Sequence, residues 1–445
     1  MAFLSLLYSA IPGLACSHSL ALAAAALVLY HIIRSLTSPL RHIPGPFAAR
    51  FTNLWRARVY WHLTTWQTQR DLHARHGPAV RIGPAAVSLS DPALIPVIYG
   101  LGRAQGEGVF AKGAFYAPSA ARLPDGSAVE HIFSARCDVL HARLLRPFQR
   151  LYSTTAVLGF EDGMDRALLG LCEQLEARFV GAAAAAGSAR AFEVGEWVTY
   201  CSWGLIGEIT WGRSLGFMQS GEDVESMIHT AELSMMFSTQ VGQLPWLARL
   251  LRLSPYLSRS ISKFNRRLSF SIERLNERLL SAKPALPDGD DQDSGPPADF
   301  FAALLRARKS APETLTDVNI AINTMTNLSG GGDPIAAVQN AIIAHLLRNP
   351  AALARLREEL RAANLSHPPS YREIHDPARL PYLDAVVREG LCIHPTVGVC
   401  IERIVPEQGL TLPDGRYIPA RHDGGLQSGS YTARPRRVRP GRRRV

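Results

Sequence analysis

Before Arg34 the sequence contains no Asp, Glu, Lys or Arg, and a segment without charge is not an ordinary solvated surface. Its most uniform part, LALAAAALVLYHII from Leu20 to Ile33, extends back through weaker sequence toward Leu4. That leaves room for a spanning helix of about 20 residues, although Pro12 and the Ser17-His18-Ser19 break leave its start open. A cleaved signal peptide normally carries positive charge ahead of its apolar run, whereas here Arg34 and Arg41 follow it. Positive residues on the C-terminal flank place the main body in the cytoplasm. Residues 1–40 are therefore read as a single-pass anchor in the endoplasmic reticulum membrane, with a signal peptide and a buried helix as the rival readings.

Cysteine is also sparse. Six Cys (Cys16, Cys137, Cys172, Cys201, Cys392, Cys400) are spread without paired spacing along 445 residues. Disulfides usually staple much smaller chains, so a reducing compartment is the better reading. The stretch CIHPTVGVC, Cys392 to Cys400, holds two Cys and one His, a spacing that matches no standard zinc site. No internal repeat is evident. Basic charge is concentrated rather than general: residues 421–445 hold eight Arg against Asp423, which is +7 of the net +10. The other 420 residues show no basic face interleaved with aromatics, so no nucleic-acid partner is read from them.

What is present reads as mostly α with a small β part. After the anchor, Pro44-Gly45-Pro46 cannot continue a helix and makes a stiff link to the body. AVRIG and AVSLS read as short strands around a Gly83-Pro84 turn, followed by a helix after an Asp91 cap. From about His131 to Lys283 the pattern is mainly helical. Lys283 to Phe300 is acidic and rich in Pro and Gly, an exposed loop rather than a domain boundary. The longest helical stretch follows, from Leu315 to Ala363, containing Gly330-Gly331-Gly332-Asp333-Pro334.

The order of these landmarks, with LPYLDAVVREGLCIHP and ERIVPEQGLTLPDGRYIPA after them, resembles the cytochrome P450 superfamily, in particular its fungal membrane-anchored members. The resemblance spans about residues 41–420 and leaves 421–445 as a basic, disordered tail outside it. It implies haem as cofactor, electrons from NADPH through a reductase, and a lipophilic small-molecule substrate, with a place in secondary metabolism. It further implies that Gly331 and Gly332 distort the central helix to open a groove over the haem, and that Asp333 is the acid of proton delivery. Pro334 stands where the family has Thr; a simple Gly-rich helix break is the other reading. His141 resembles the first of two propionate-binding residues, and Arg146 stands near the second, where the position four on is Leu145. An exposed basic helix face is the alternative there.

Two departures are more serious. The family pairs Glu with Arg three residues on, tying a buried helix to the loop before the haem ligand. Here the pair is Glu389 and Cys392, so Glu389 either loses a buried partner or turns to solvent. The family's axial ligand is a Cys in Phe-x-x-Gly-x-Arg-x-Cys-x-Gly. No Phe follows Phe301 and no Cys follows Cys400, so no residue is assigned as a metal ligand.

Three functions follow: a haem-thiolate monooxygenase inactive as the chain is written, a non-catalytic remnant or pseudoenzyme, and, remotely, an Arg-tailed nucleic-acid binder. The abrupt change after Ala420 points to a tail read out of frame. One permitted set of codons for Arg421 to Ser428, shifted by one nucleotide, reads Gly-Thr-Thr-Val-Gly-Phe-Asn followed by the start of a Pro codon, text that commonly follows IPA in the family.

Overall fold

The computed structural model describes residue 22, residues 25–420 apart from 101–108, 124, 126, 181–190, 245, 248–249, 252–265, 282–298 and 377, and residues 428–431. The chain divides into two compact units.

The first unit carries the sheet. Helices α1 (Leu54–Trp61) and α2 (Thr65–His76) precede strands β1 (Ala79–Gly83) and β2 (Ala86–Leu89), which pair antiparallel with Ala79 opposite Leu89. Every residue of both strands is buried, because both sheet faces are covered and the polar alternation of a half-solvated strand is not needed. Arg403–Ile404 (β3), Leu410–Thr411 (β4), Tyr417–Ile418 (β5) and Ser428–Tyr431 (β6) complete the unit's strands. The main sheet runs β1-β2-β6-β3, while β4 and β5 form a hairpin. Leu40, Ile43, Val87, Leu89, Val405 and Ile418 make its core.

The stiff Pro44-Gly45-Pro46 link lies on this sheet. Arg81 donates its backbone N–H to Pro44 at 2.7 Å, and Gly45 passes so close to the Arg81 carbonyl that a Cβ there would collide with it. As expected, the Asp91 side chain caps the next helical turn, accepting from Ala93 N. The unit also buries an ion pair, Arg56 to Glu402 at 2.7 Å, whose partners are 4% and 5% exposed. Removing either side would strand a buried charge, which typically costs about 3–5 kcal/mol.

The second unit is helical. It contains α3 (Asp138–Leu145), α4 (Glu161–Leu175), α5 (Val194–Trp211), α6 (Arg266–Ser281), α7 (Phe300–Arg308), α8 (Asp317–Leu347), α9 (Pro350–Ala363) and α10 (Pro381–Ile393). A two-stranded hairpin, Ala121–Arg122 with Ala128–Val129, is its β part. Trp203, Phe148, Phe217, Phe301, Leu304 and Leu328 lie in its core. Helix α8 starts at Thr316, whose side chain accepts from Asn319 N. It stops before Pro350, which opens α9 at a first-turn position where its missing N–H is harmless.

One expectation changes. The long helix is not interrupted at its glycines: α8 runs unbroken through Gly330 to Pro334. Pro334 removes the bond that its own N–H would make to the Gly330 carbonyl, and Gly330 is exposed, so water can satisfy that oxygen. Of residues 421–445, residues 428–431 are described. Residues 428–431 form β6, parallel to β2 and antiparallel to β3, because backbone pairing along a sheet edge makes little demand on side-chain identity. Among the described residues no helix is long and apolar enough to cross a membrane. Residues 25–36 are helical, while most of the expected anchor, and the 283–300 loop up to residue 298, lie outside the described residues.

Candidate functional site

The residues expected to carry chemistry on α8 meet α5, and the reason is glycine. A Cβ on Gly332 would come within 2.7 Å of the Trp203 indole nitrogen, and one on Gly331 would collide with the Ile206 side chain. The two glycines therefore let α5 and α8 approach closely. A Cβ on Gly330, by contrast, would have nothing within 4 Å.

Asp333 follows on the same turn and accepts a hydrogen bond from Trp203 Nε1 at 2.9 Å. Burial pushes its carboxyl above the ordinary carboxylate range, against the opposing pull of the Trp203 hydrogen bond and the Arg267 charge. Arg267, on α6, is 6% exposed, and its Nη1 donates to Ser329 Oγ. Burial brings its guanidinium down to about 10, with the Asp333 charge acting the other way, so it remains a cation at neutral pH. Its Nε has no hydrogen-bond partner among the described residues. The result is a polar knot in which an acid on α8, an indole on α5 and a guanidinium on α6 join three helices. Such a knot can hold a proton or fix the helices together.

The other expected site residues lie elsewhere in the helical unit. His141 lies half-buried in α3, and Arg146 caps that helix with its side chain exposed. Glu389 is exposed on α10, as is Cys392, so the pair is not buried. Glu389 takes the alternative of facing solvent: within α10 only Gly390 is buried. Sequence reasoning missed Trp203, Arg267 and Ser329. Trp203 sits in a helix apolar on most sides, and Arg267 is one of two adjacent arginines, so neither carries a motif.

Whether the residues present fit a haem-thiolate centre is a question of donors. A ligand thiolate needs positive or hydrogen-bonding surroundings that hold the sulfur ionised. Cys201 is buried in the helical core, which pushes its thiol up to about 11. Cys400 is 1% exposed, packs with Val80, Ile82 and Ala86, and its N–H donates to the Tyr60 hydroxyl. Cys137, Cys172 and Cys392 are exposed. Among the described residues no three His, Cys, Asp or Glu side chains converge to hold a metal ion. Among the described residues neither buried thiol fits the group.

With this geometry in hand, comparison with known proteins is informative. The family model Cytochrome P450 matches residues 121–423. A cytochrome P450 monooxygenase of Aspergillus terreus (strain NIH 2624 / FGSC A1156) is 32% identical over 404 residues, covering 88% of this chain and 77% of that protein. Cytochrome P450 monooxygenase AFLA_114810 of Aspergillus flavus is 31% identical over 385 residues, 84% of this chain and 71% of that protein. For cytochrome P450 monooxygenase mpaDE of Penicillium roqueforti (strain FM164) the identity is 32% over 406 residues, 89% of this chain. The match spans 45% of the length of that relative.

Proposed function

This chain belongs to the cytochrome P450 family, and we propose that it derives from a membrane-anchored fungal monooxygenase that oxidises a lipophilic small molecule of secondary metabolism. In this reading the 445 residues do not themselves carry out that reaction. One observation supports the inactivity above the others. Among the described residues, the two buried cysteines are a thiol held protonated in a helical core and a thiol walled into a sheet core. The parent reaction would use haem and electrons passed from NADPH by a reductase. Because the residues here do not fit that haem, no catalytic step is assigned to Asp333, His141 or Arg146.

The test is a reduced carbon-monoxide difference spectrum of membranes expressing the full chain. The expected outcome is no band from thiolate-ligated haem, and such a band would overturn the reading. A non-catalytic remnant is the form this proposal takes if the chain accumulates as a folded protein. Nothing in the geometry favours the nucleic-acid alternative.

The tail supports a second element of the proposal, that residues from about Arg421 are translated out of frame. The family match runs to residue 423, and the eight Arg of the tail begin at Arg421. Sequencing the gene and its transcript past the Ala420 codon decides this. A shifted frame without Phe-x-x-Gly-x-Arg-x-Cys-x-Gly downstream would sink the account.

For location, we propose the endoplasmic reticulum membrane with the body in the cytosol. The uncharged segment before Arg34 and the exposed Leu27, Val28, Leu29, Ile32 and Ile33 support it.

A further inference from the structure

Arg81 is a buried cation whose hydrogen bonds go to uncharged groups. It lies in the middle of β1 at 1% exposure. Its Nε donates to the Gly83 carbonyl at 3.3 Å, and its Nη2 to the Pro84 carbonyl at 2.8 Å, the Ser38 hydroxyl at 3.1 Å and, at a long 3.5 Å, the Arg50 carbonyl. Its Nη1 is buried with no hydrogen-bond partner among the described residues, and so is Nε of Arg50. Buried charges are normally paired, as Arg56 is with Glu402 in the same unit. For Arg81 burial lowers the pKa, and the second cause is the like charge of Arg50. No Asp or Glu occurs in the chain before Asp71. Two neighbouring guanidiniums with spare N–H groups are what a phosphate group requires.

The residue that can carry the phosphate already touches Arg81. Ser38 Oγ accepts from Arg81 Nη2 and from the Leu40 N–H at 3.3 Å, so two donors converge on one neutral oxygen. Ser38 is half-buried in a non-helical stretch after the helical residues 25–36, with Leu36, Thr37, Pro39 and Arg41 exposed around it. Leu40 and Ile43, at 1% and 0% exposure, hold that stretch on the unit's core. Pro39 biases Ser38 toward an extended backbone, and Ser38-Pro39-Leu40-Arg41 has the Ser-Pro-x-Arg order that proline-directed kinases accept. A phosphate on this oxygen brings a charge of about −1.5 to −2 at neutral pH and three strong acceptors.

We propose that Ser38 is a phosphorylation site and that Arg81 and Arg50 receive its phosphate, locking residues 37–46 onto the sheet. The γ-phosphoryl group of ATP passes to Ser38 Oγ, the hydroxyl proton is released and ADP leaves. Charge-assisted bonds then replace the bond from Arg81 to a neutral hydroxyl, and the buried guanidinium gains a counter-charge. The site goes beyond the family reading and rests on the proposed function only for the cytosolic placement that brings ATP and a kinase to it.

The test treats the purified full-length chain with ATP and a proline-directed kinase that prefers Ser-Pro-x-Arg, and locates the phosphate by tandem mass spectrometry. Ser38→Ala and Arg50→Gln are treated in parallel; Arg50 is only half-buried, so its substitution spares β1. The expected result is phosphate on Ser38, with hydrogen exchange across residues 37–46 slowed by about tenfold, the scale of one hydrogen bond to a charged group. Ser38→Ala should show no slowing, and Arg50→Gln less than the parent. Phosphate absent from Ser38 would overturn the modification site. Exchange that is unchanged by phosphate on Ser38, or slowed just as much in Arg50→Gln, would overturn the arginine cradle. Millimolar inorganic phosphate that slows exchange equally in the untreated protein would make a free anion the ligand and overturn the ester. The reaction is run on purified protein, so it succeeds or fails independently of which side of the membrane the body occupies.

Discussion

Three adjacent glycines on α8 have different surroundings, and the difference can be measured. Gly330 meets nothing within 4 Å of an added Cβ, whereas Gly332 would press a Cβ to 2.7 Å from the rigid Trp203 indole. Gly330→Ala should therefore stabilise the protein by up to about 1 kcal/mol through helix propensity. Gly332→Ala should destabilise it by about 1–3 kcal/mol through overpacking. Denaturant unfolding of the two variants checks the opposite signs, and equal effects would show that α5 and α8 are not in close approach. Asp333 makes a second prediction at this scale. Its folded pKa is raised, chiefly by burial, so the folded state holds the proton more tightly than the unfolded chain does. That contribution to stability is complete below the unfolded value of about 3.9 and is lost as pH rises through the folded one. Asp333→Asn keeps an acceptor for Trp203 but cannot ionise, so it should flatten the decline in stability above about pH 4. Unfolding curves measured across that range would refute the assignment if the variant and the parent declined in parallel.

At the scale of elements, the helix α10 corrects a family-based expectation. A Glu three residues before an Arg matters in a buried setting because the ionic partner is not replaced by water. Here Glu389 and Cys392 both face solvent, where a pair three residues apart contributes only about 0.2–0.5 kcal/mol. Cys392→Arg should accordingly move the melting temperature by no more than roughly 1–2 °C. A rise of several degrees would mean that the pair is buried after all. Helix α8 teaches the converse. Gly and Pro are the strongest helix breakers, yet α8 stays continuous for 31 residues. Tight packing against α5 at Gly331 and Gly332, together with the solvent exposure of Gly330, removes the usual reasons for a break.

For the whole molecule, orientation is the open physical question that a modification can answer. Two sequons, Asn327-Leu328-Ser329 and Asn364-Leu365-Ser366, would be available to glycosylation only in a lumenal body. They differ in their suitability. Asn327 Oδ1 accepts from the Tyr152 hydroxyl at 2.6 Å and Leu328 is fully buried, while Asn364 ends α9 in the left-handed conformation. With the body in the cytosol both should remain unmodified, including Asn364, the more accessible of the two in backbone terms. Glycosidase treatment that changes the protein's mobility would reverse the orientation.

The sequence by itself determined the fold class, the two strands around Gly83-Pro84, the Asp91 cap and the family. These are local patterns of periodicity, turn chemistry and landmark order, carried by neighbours in the chain. It also determined that no cysteine follows Cys400, since composition needs no fold. Only the tertiary structure decided what Gly331 and Gly332 are for, that Asp333 bonds to Trp203 beside Arg267, that Glu389 faces water, and that residues 428–431 enter a sheet. Each of these depends on which surface arrives from a distant part of the chain. The separation of 130 positions between Trp203 and Asp333 puts their meeting beyond any periodicity, because a hydrogen bond across helices is specified by packing and leaves no spacing to read.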